Sequence, residues 1–199
     1  MTPMFDDLKG KSVFITGGGS GIGAALTEAF LRQGAQVAFC QRSDGTEFCD
    51  QMEAATGNRP LFLPCDISVT DQLQLTLATA AEAQGPIAVL VNNAANDERH
   101  NTLTTDAAFW DQSMAVNLRS YFFAAQSVIP DMQASGGGSI INFSSISCMM
   151  ADTGYAAYIT ANAGIIGLTR AGAVLFLASA ASRMMTSQTL ILDGGYISS

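Results

Sequence analysis

The chain has 199 residues, 48% of them hydrophobic and 13% charged, about half the charged share of an ordinary globular domain. That length suits one domain, 1–199, and the apolar share excludes intrinsic disorder. Nine basic residues against seventeen acidic ones give a net charge of −8 and a pI near 4.3, which argues against nucleic acid or an anionic membrane as the main partner.

Short β-branched or aromatic runs fall at 11–16, 36–41, 60–65, 87–92, 139–144 and 188–193. Their hydrophobicity is continuous rather than alternating, as in strands covered on both faces. Helical patterns lie between them at 21–32, 47–55, 71–84, 109–133 and 158–178. Strand–helix alternation of this kind predicts an α/β fold, a doubly wound parallel sheet of Rossmann-like type with right-handed crossovers. No apolar run reaches the ~20 residues that span a bilayer, and residues 1–11, with Asp6 and Asp7, lack the apolar core of a signal peptide. The expected location is cytoplasmic. Cys40, Cys49, Cys65 and Cys148 form no C-x-x-C pair and read as small hydrophobes in a reducing compartment. His100 is the single histidine, and no cluster of His, Cys and carboxylates suggests zinc.

Thr16-Gly-Gly-Gly-Ser-Gly-Ile-Gly23 joins the first strand to the first helix. Glycines there let the backbone turn sharply and approach a pyrophosphate, which rests on the free N–H groups and positive end of the helix. Asn92-Asn-Ala-Ala95 ends the fourth strand, Asp66 follows the third, Asn117 lies within Val116-Asn-Leu118, and Ser145 precedes Tyr158 by thirteen positions. In order and spacing these motifs resemble the classical short-chain dehydrogenase/reductase family. The resemblance implies a nicotinamide dinucleotide lined by Gly17, Ser20, Gly21, Ile22, Gly23, Asp66, Ile67 and Asn92. It also implies Tyr158 as the group that removes a hydroxyl proton, Ser145 as the residue that polarises the substrate oxygen, and Asn117 as the family's helix asparagine. Cofactor choice is read at the end of the second strand. Gln41-Arg42 stands there in place of an acidic residue, and a guanidinium pairs bidentately with a 2′-phosphate. NADP is therefore favoured, with NAD possible and Arg42 as an ordinary solvated charge the alternative.

Two departures from the family pattern bear on activity. A tyrosine acts as a base near neutrality only if its pKa, about 10 unperturbed, is lowered. In the resembled family a lysine four residues later supplies the charge; here that position is Asn162, which can hydrogen-bond a ribose but carries no charge. Arg119 and Arg170 have no evident reason to point at the tyrosine. The second departure follows residue 171, where several dozen residues expected from the resemblance, including a strand and a mobile substrate lid, are missing. The sheet is then one strand short near the C-terminus and must either close up, with 188–193 beside 139–144, or leave an unpaired edge. A single helix over 158–180 would be far longer than a strand, so a break near Gly172 is expected.

The loop Ala94-Ala-Asn-Asp-Glu-Arg-His100 is polar and similar to members of the family that oxidise aldoses at C1. Asn96 and His100 are the candidate ligands for sugar hydroxyls, a solvated loop being the bland alternative. The leading expectation is an NAD(P)-dependent oxidoreductase acting on an alcohol, polyol or aldose, impaired in this form and homo-oligomeric through the helices at 109–133 and 158–177. The alternatives are a non-catalytic cofactor-binding or oligomerising module and an unstable deletion product.

Overall fold

The computed structural model describes residues 4–150 and 153–177. Five strands form one parallel sheet: β1 (Ser12–Thr16), β2 (Gln36–Gln41), β3 (Leu61–Pro64), β4 (Val89–Asn92) and β5 (Ser139–Asn142), in the order β3-β2-β1-β4-β5. The connecting helices are α1 (Gly21–Arg32), α2 (Thr46–Thr56), α3 (Thr70–Gln84), α4 (Ala107–Met114), α5 (Ser120–Ala134) and α6 (Ala156–Leu177). This is the doubly wound Rossmann-like sheet anticipated from the alternating runs.

Strand side chains alternate between the two faces, which explains the unbroken apolar runs. Val13, Ile15, Val37, Phe39 and Val91 point one way, against Leu31 of α1 and Cys49 and Met52 of α2. Phe14, Ala38, Cys40 and Leu90 point the other way, against Leu73, Leu77 and Ala80 of α3 and Ala124, Val128 and Met132 of α5. Cys40, Cys49 and Cys65 are buried in these two layers as free thiols. Because every strand runs the same way, the strand C-termini line up along one edge, with the polar motifs at Thr16–Gly23, Gln41–Arg42, Asp66, Asn92–Ala95 and Ser144–Ser145 gathered there.

Two expected elements differ. The helix expected over 109–133 is α4 and α5 joined by a π-helical turn, Ala115–Arg119. The wide turn accommodates one buried polar residue, Asn117, inside an otherwise apolar surface. The break expected near Gly172 is absent, and α6 runs without interruption through it. One glycine costs a helix only about 1 kcal/mol relative to alanine, and the good helix formers Ala171, Ala173 and Leu175 surround it. The expected strand 188–193, and with it the closing of the sheet beside β5, lies outside the described residues.

Candidate active site

At the end of β1 the Thr16 hydroxyl accepts the N–H groups of Asn93 and Ala94, each at 3.0 Å. The Asn93 amide donates back to the carbonyls of Thr16 (3.0 Å) and Gly17 (3.3 Å). The glycine turn is thus fastened to the loop after β4 before the chain enters α1. Thr27, fully buried on α1, donates to the Gly18 carbonyl at 2.8 Å. A Cβ at Gly23 would run into the Gly17 carbonyl, so helix and turn meet there backbone to backbone. On the outer side Gly21, at φ +51°, faces open space, and the N-cap Ser20 makes no side-chain capping bond. Ser20, Gly21 and Ile22 are exposed while Gly23 is buried. A helix N-terminus with an open glycine face and an unengaged hydroxyl fits a dinucleotide pyrophosphate.

Gln41 folds over this turn, its Oε1 accepting the Gly19 N–H at 3.1 Å. Arg42 beside it is exposed. Across the strand ends, Oδ1 of Asp66 accepts both the N–H and the hydroxyl of Ser68, at 2.9 and 2.7 Å. Partial burial pushes the Asp66 carboxyl up, but the Ser68 bonds and the charge of Arg42 outweigh it and hold the group below the usual carboxylate range. The Arg42 charge thus bears on Asp66 at the strand ends. The Ile67 side chain belongs to the core rather than to this rim.

Asn92 is 1% exposed, and its amide donates to Asn142 on β5 at 2.9 Å. Asn142 donates to Thr169 of α6 (3.0 Å), which donates to the Ile165 carbonyl (2.8 Å). This relay fixes α6 to the sheet, and it leaves Asn92 Oδ1 buried without a protein partner. Of the doubled asparagine, Asn92 reaches across to β5 and Asn93 holds the glycine turn. The sequence reading singled out only the first of them.

Tyr158 is half-buried on the first turns of α6, its ring 5.8 Å from that of Tyr155. Burial, with a smaller contribution from Tyr158, pushes the Tyr121 phenol of α5 well above its ordinary value, so this second phenol stays protonated. Tyr121 donates to the Ala94 carbonyl at 3.5 Å. Ser145 leads a short 3₁₀ turn, Ile146–Met149, that packs against α6. Its Oγ accepts the Ser147 N–H (3.2 Å) and the Ser147 hydroxyl (2.9 Å). Ser147, buried, is thus the residue that orients Ser145.

Asn117, 1% exposed, exchanges hydrogen bonds with the backbone of Asn96: its Oδ1 accepts the Asn96 N–H at 2.8 Å, and its Nδ2 donates to the Asn96 carbonyl at 2.9 Å. Asn162 is 3% exposed, and its amide donates to the Tyr158 carbonyl one helical turn back at 2.9 Å. Arg119 donates to the Ser68 carbonyl at 2.8 Å. Neither residue brings positive charge to Tyr158. Arg99 stacks its guanidinium on the Tyr155 ring at 3.8 Å. No local pattern in the sequence reveals that contact.

The loop after β4 and the start of α6 bound an open cleft of about 550 Å³, lined by Arg99, His100, Asn101, Thr102, Thr153 and Gly154. His100 does not present a ring nitrogen to it as expected. Nδ1 lies 3.1 Å from the Glu98 carbonyl, and Nε2 accepts the Ala157 N–H at 3.2 Å. Both nitrogens thus face backbone groups, while the residue itself lines the cleft. Asn96 is exposed, with its Oδ1 accepting the Glu98 N–H at 3.2 Å.

A parallel sheet, a glycine turn at its first helix and a Ser-Tyr pair on the elements beyond β5 define a nicotinamide-dependent oxidoreductase. The model of the short chain dehydrogenase family matches residues 11–180, and the chain belongs to that family. It is 37% identical to "Probable galactose dehydrogenase GalD" of Rhizobium meliloti (strain 1021), over 96% of each chain. That alignment runs over 247 positions, so several dozen of them have no counterpart among these 199 residues. D-xylose 1-dehydrogenase of Caulobacter vibrioides (strain NA1000 / CB15N) is 45% identical over 84% of this chain and 66% of its own length. Among solved structures, NADH-dependent reductase A1-R′ complexed with NAD superposes with a TM-score of 0.82 at 29% identity, covering 88% of this chain and 76% of that one.

Proposed function

We propose that this chain is an NADP-preferring dehydrogenase for the C1 hydroxyl of an aldose, or for a related polyol or alcohol, with catalysis weakened by the replacement of a lysine by Asn162. The observation that carries the reading is the open glycine turn that starts α1, with Ser145 heading a turn that packs against α6, the helix of Tyr158. The names of the galactose and xylose relatives favour a sugar. When bound, the nicotinamide exchanges hydride with the carbinol carbon. The chain's own groups do the rest. Ser20 and the first amides of α1 hold the pyrophosphate, and Arg42 pairs with a ribose 2′-phosphate. Ser145 donates to the substrate oxygen, while Tyr158 takes the hydroxyl proton in oxidation and returns it in reduction. Asn117 acts through Asn96, fixing the loop that walls the substrate cleft.

A second reading, a cofactor-binding module without turnover, is favoured by one observation: Asn162 is neutral, buried and tied to its own helix. Two measurements separate these. Purified protein is titrated with NADPH, and NADPH formation from NADP is followed with a panel of aldoses. Binding with slow but saturable aldose oxidation supports the enzyme, whereas binding with no turnover on any aldose supports the module. Absence of binding contradicts both. We also propose that a segment is missing after residue 171; the galactose dehydrogenase alignment, longer than this chain, is in keeping with a gap but does not give its place. Homo-oligomerisation is supported by the exposed Trp110 and Phe122 on α4 and α5.

A further inference from the structure

We propose that His100 is a positioning residue: its imidazole caps the N-terminus of α6 and so holds the turn that carries Tyr158. The N-cap place of α6 falls to Tyr155, whose phenol cannot accept from the first-turn amides as Ser, Thr, Asp or Asn would. An acceptor arrives instead from 57 residues away: His100 Nε2 receives the Ala157 N–H at 3.2 Å, one residue before Tyr158. The partners fix the tautomer. Nδ1 faces the Glu98 carbonyl, an acceptor only, and so carries the proton, which leaves Nε2 with the lone pair that Ala157 needs.

Three further contacts set this geometry. The His100 backbone N–H donates to the Gly154 carbonyl at 2.7 Å. The ring packs on Phe109 of α4, with centroids 4.7 Å apart. Arg99, next in the chain, lies over Tyr155 at 3.8 Å, and Tyr155 stacks towards Tyr158. The same loop is tied to the glycine turn through Asn93 and to the π turn through Asn96. One loop thus clasps the cofactor turn, Asn117 and the tyrosine helix together, and His100 is the joint on the tyrosine side.

The bearing of this clasp on turnover rests on the proposed dehydrogenase reading; the clasp itself does not. The test compares the parent with His100→Leu, which removes the acceptor, and His100→Gln, whose amide oxygen reaches the same place. In ¹⁵N-labelled parent protein the ring should show Nδ1 protonated and Nε2 as an acceptor. Exchange of the Ala157 amide should quicken about tenfold in His100→Leu and return towards the parent rate in His100→Gln. With aldose, kcat should fall about tenfold in His100→Leu with KM for NADP unchanged, and recover in His100→Gln. Protonation at Nε2, or equal Ala157 exchange in all three proteins, overturns the proposal. So does equal kcat in parent and His100→Leu in a protein that turns over. If the ring and amide signals behave as stated but no protein oxidises an aldose, the cap stands and the dehydrogenase reading fails.

Discussion

Asn162 occupies the position where charge would be most useful, and its amide is spent on the Tyr158 carbonyl. Replacing it with lysine gives the tyrosine a cation one helical turn away, so Asn162→Lys should raise kcat at least about tenfold in a steady-state assay; equal rates would show that position 162 does not limit turnover. At the other end of the site, Arg42 is exposed and close enough to influence Asp66. Arg42→Ala should weaken NADPH about tenfold, roughly 1.4 kcal/mol, and leave NADH nearly unchanged, as measured by fluorescence titration. Gly23→Ala pushes a methyl into the Gly17 carbonyl. It should cost on the order of 1–3 kcal/mol in urea unfolding and remove most dinucleotide affinity, because the turn must open to admit it.

Among the elements, the π turn Ala115–Arg119 has the clearest purpose, since it places Asn117 where both ends of its amide meet the Asn96 backbone. Asn117→Ala removes both bonds to the Asn96 backbone. A loss of about 1–3 kcal/mol, several degrees in Tm, is expected, together with faster proteolysis of the loop after β4. Such a turn was not legible in the sequence, because the apolar spacing from 109 to 133 continues through it and the inserted residue changes no local pattern. The central strands were legible, since Val13–Ile15 and Val89–Val91 are apolar at every position and such runs suit only strands covered on both faces. Strand ends were less so: Ile87 and Ala88 continue the run ahead of β4, although Ala88 already exchanges backbone bonds with Ser12 and Ser139. The glycine turn was legible as a motif, whereas its fastening to Asn93 and the His100 cap join residues 76 and 57 positions apart, distances at which no periodicity speaks.

At the scale of the molecule, the parallel sheet brings its polar motifs to one edge, and their charges link stability to pH. Asp66 is held below its ordinary carboxylate value. Its stabilising contribution is therefore present in full above the unfolded pKa and is lost as pH falls through the folded one. Asp66→Asn should flatten the acid limb of the stability curve below about pH 4 in chemical unfolding; an unchanged limb would show that the Ser68 bonds contribute nothing. The described residues contain no helix long and apolar enough to cross a membrane and no group of three or more metal-ligating side chains.

The most direct test of the account is equilibrium titration of the chain with NADPH, followed by nicotinamide fluorescence, in the parent and in Gly23→Ala. Saturable micromolar binding in the parent, lost in the variant while its fold persists by circular dichroism, is the predicted result. A folded parent that leaves the nicotinamide signal unchanged at millimolar concentration would contradict it.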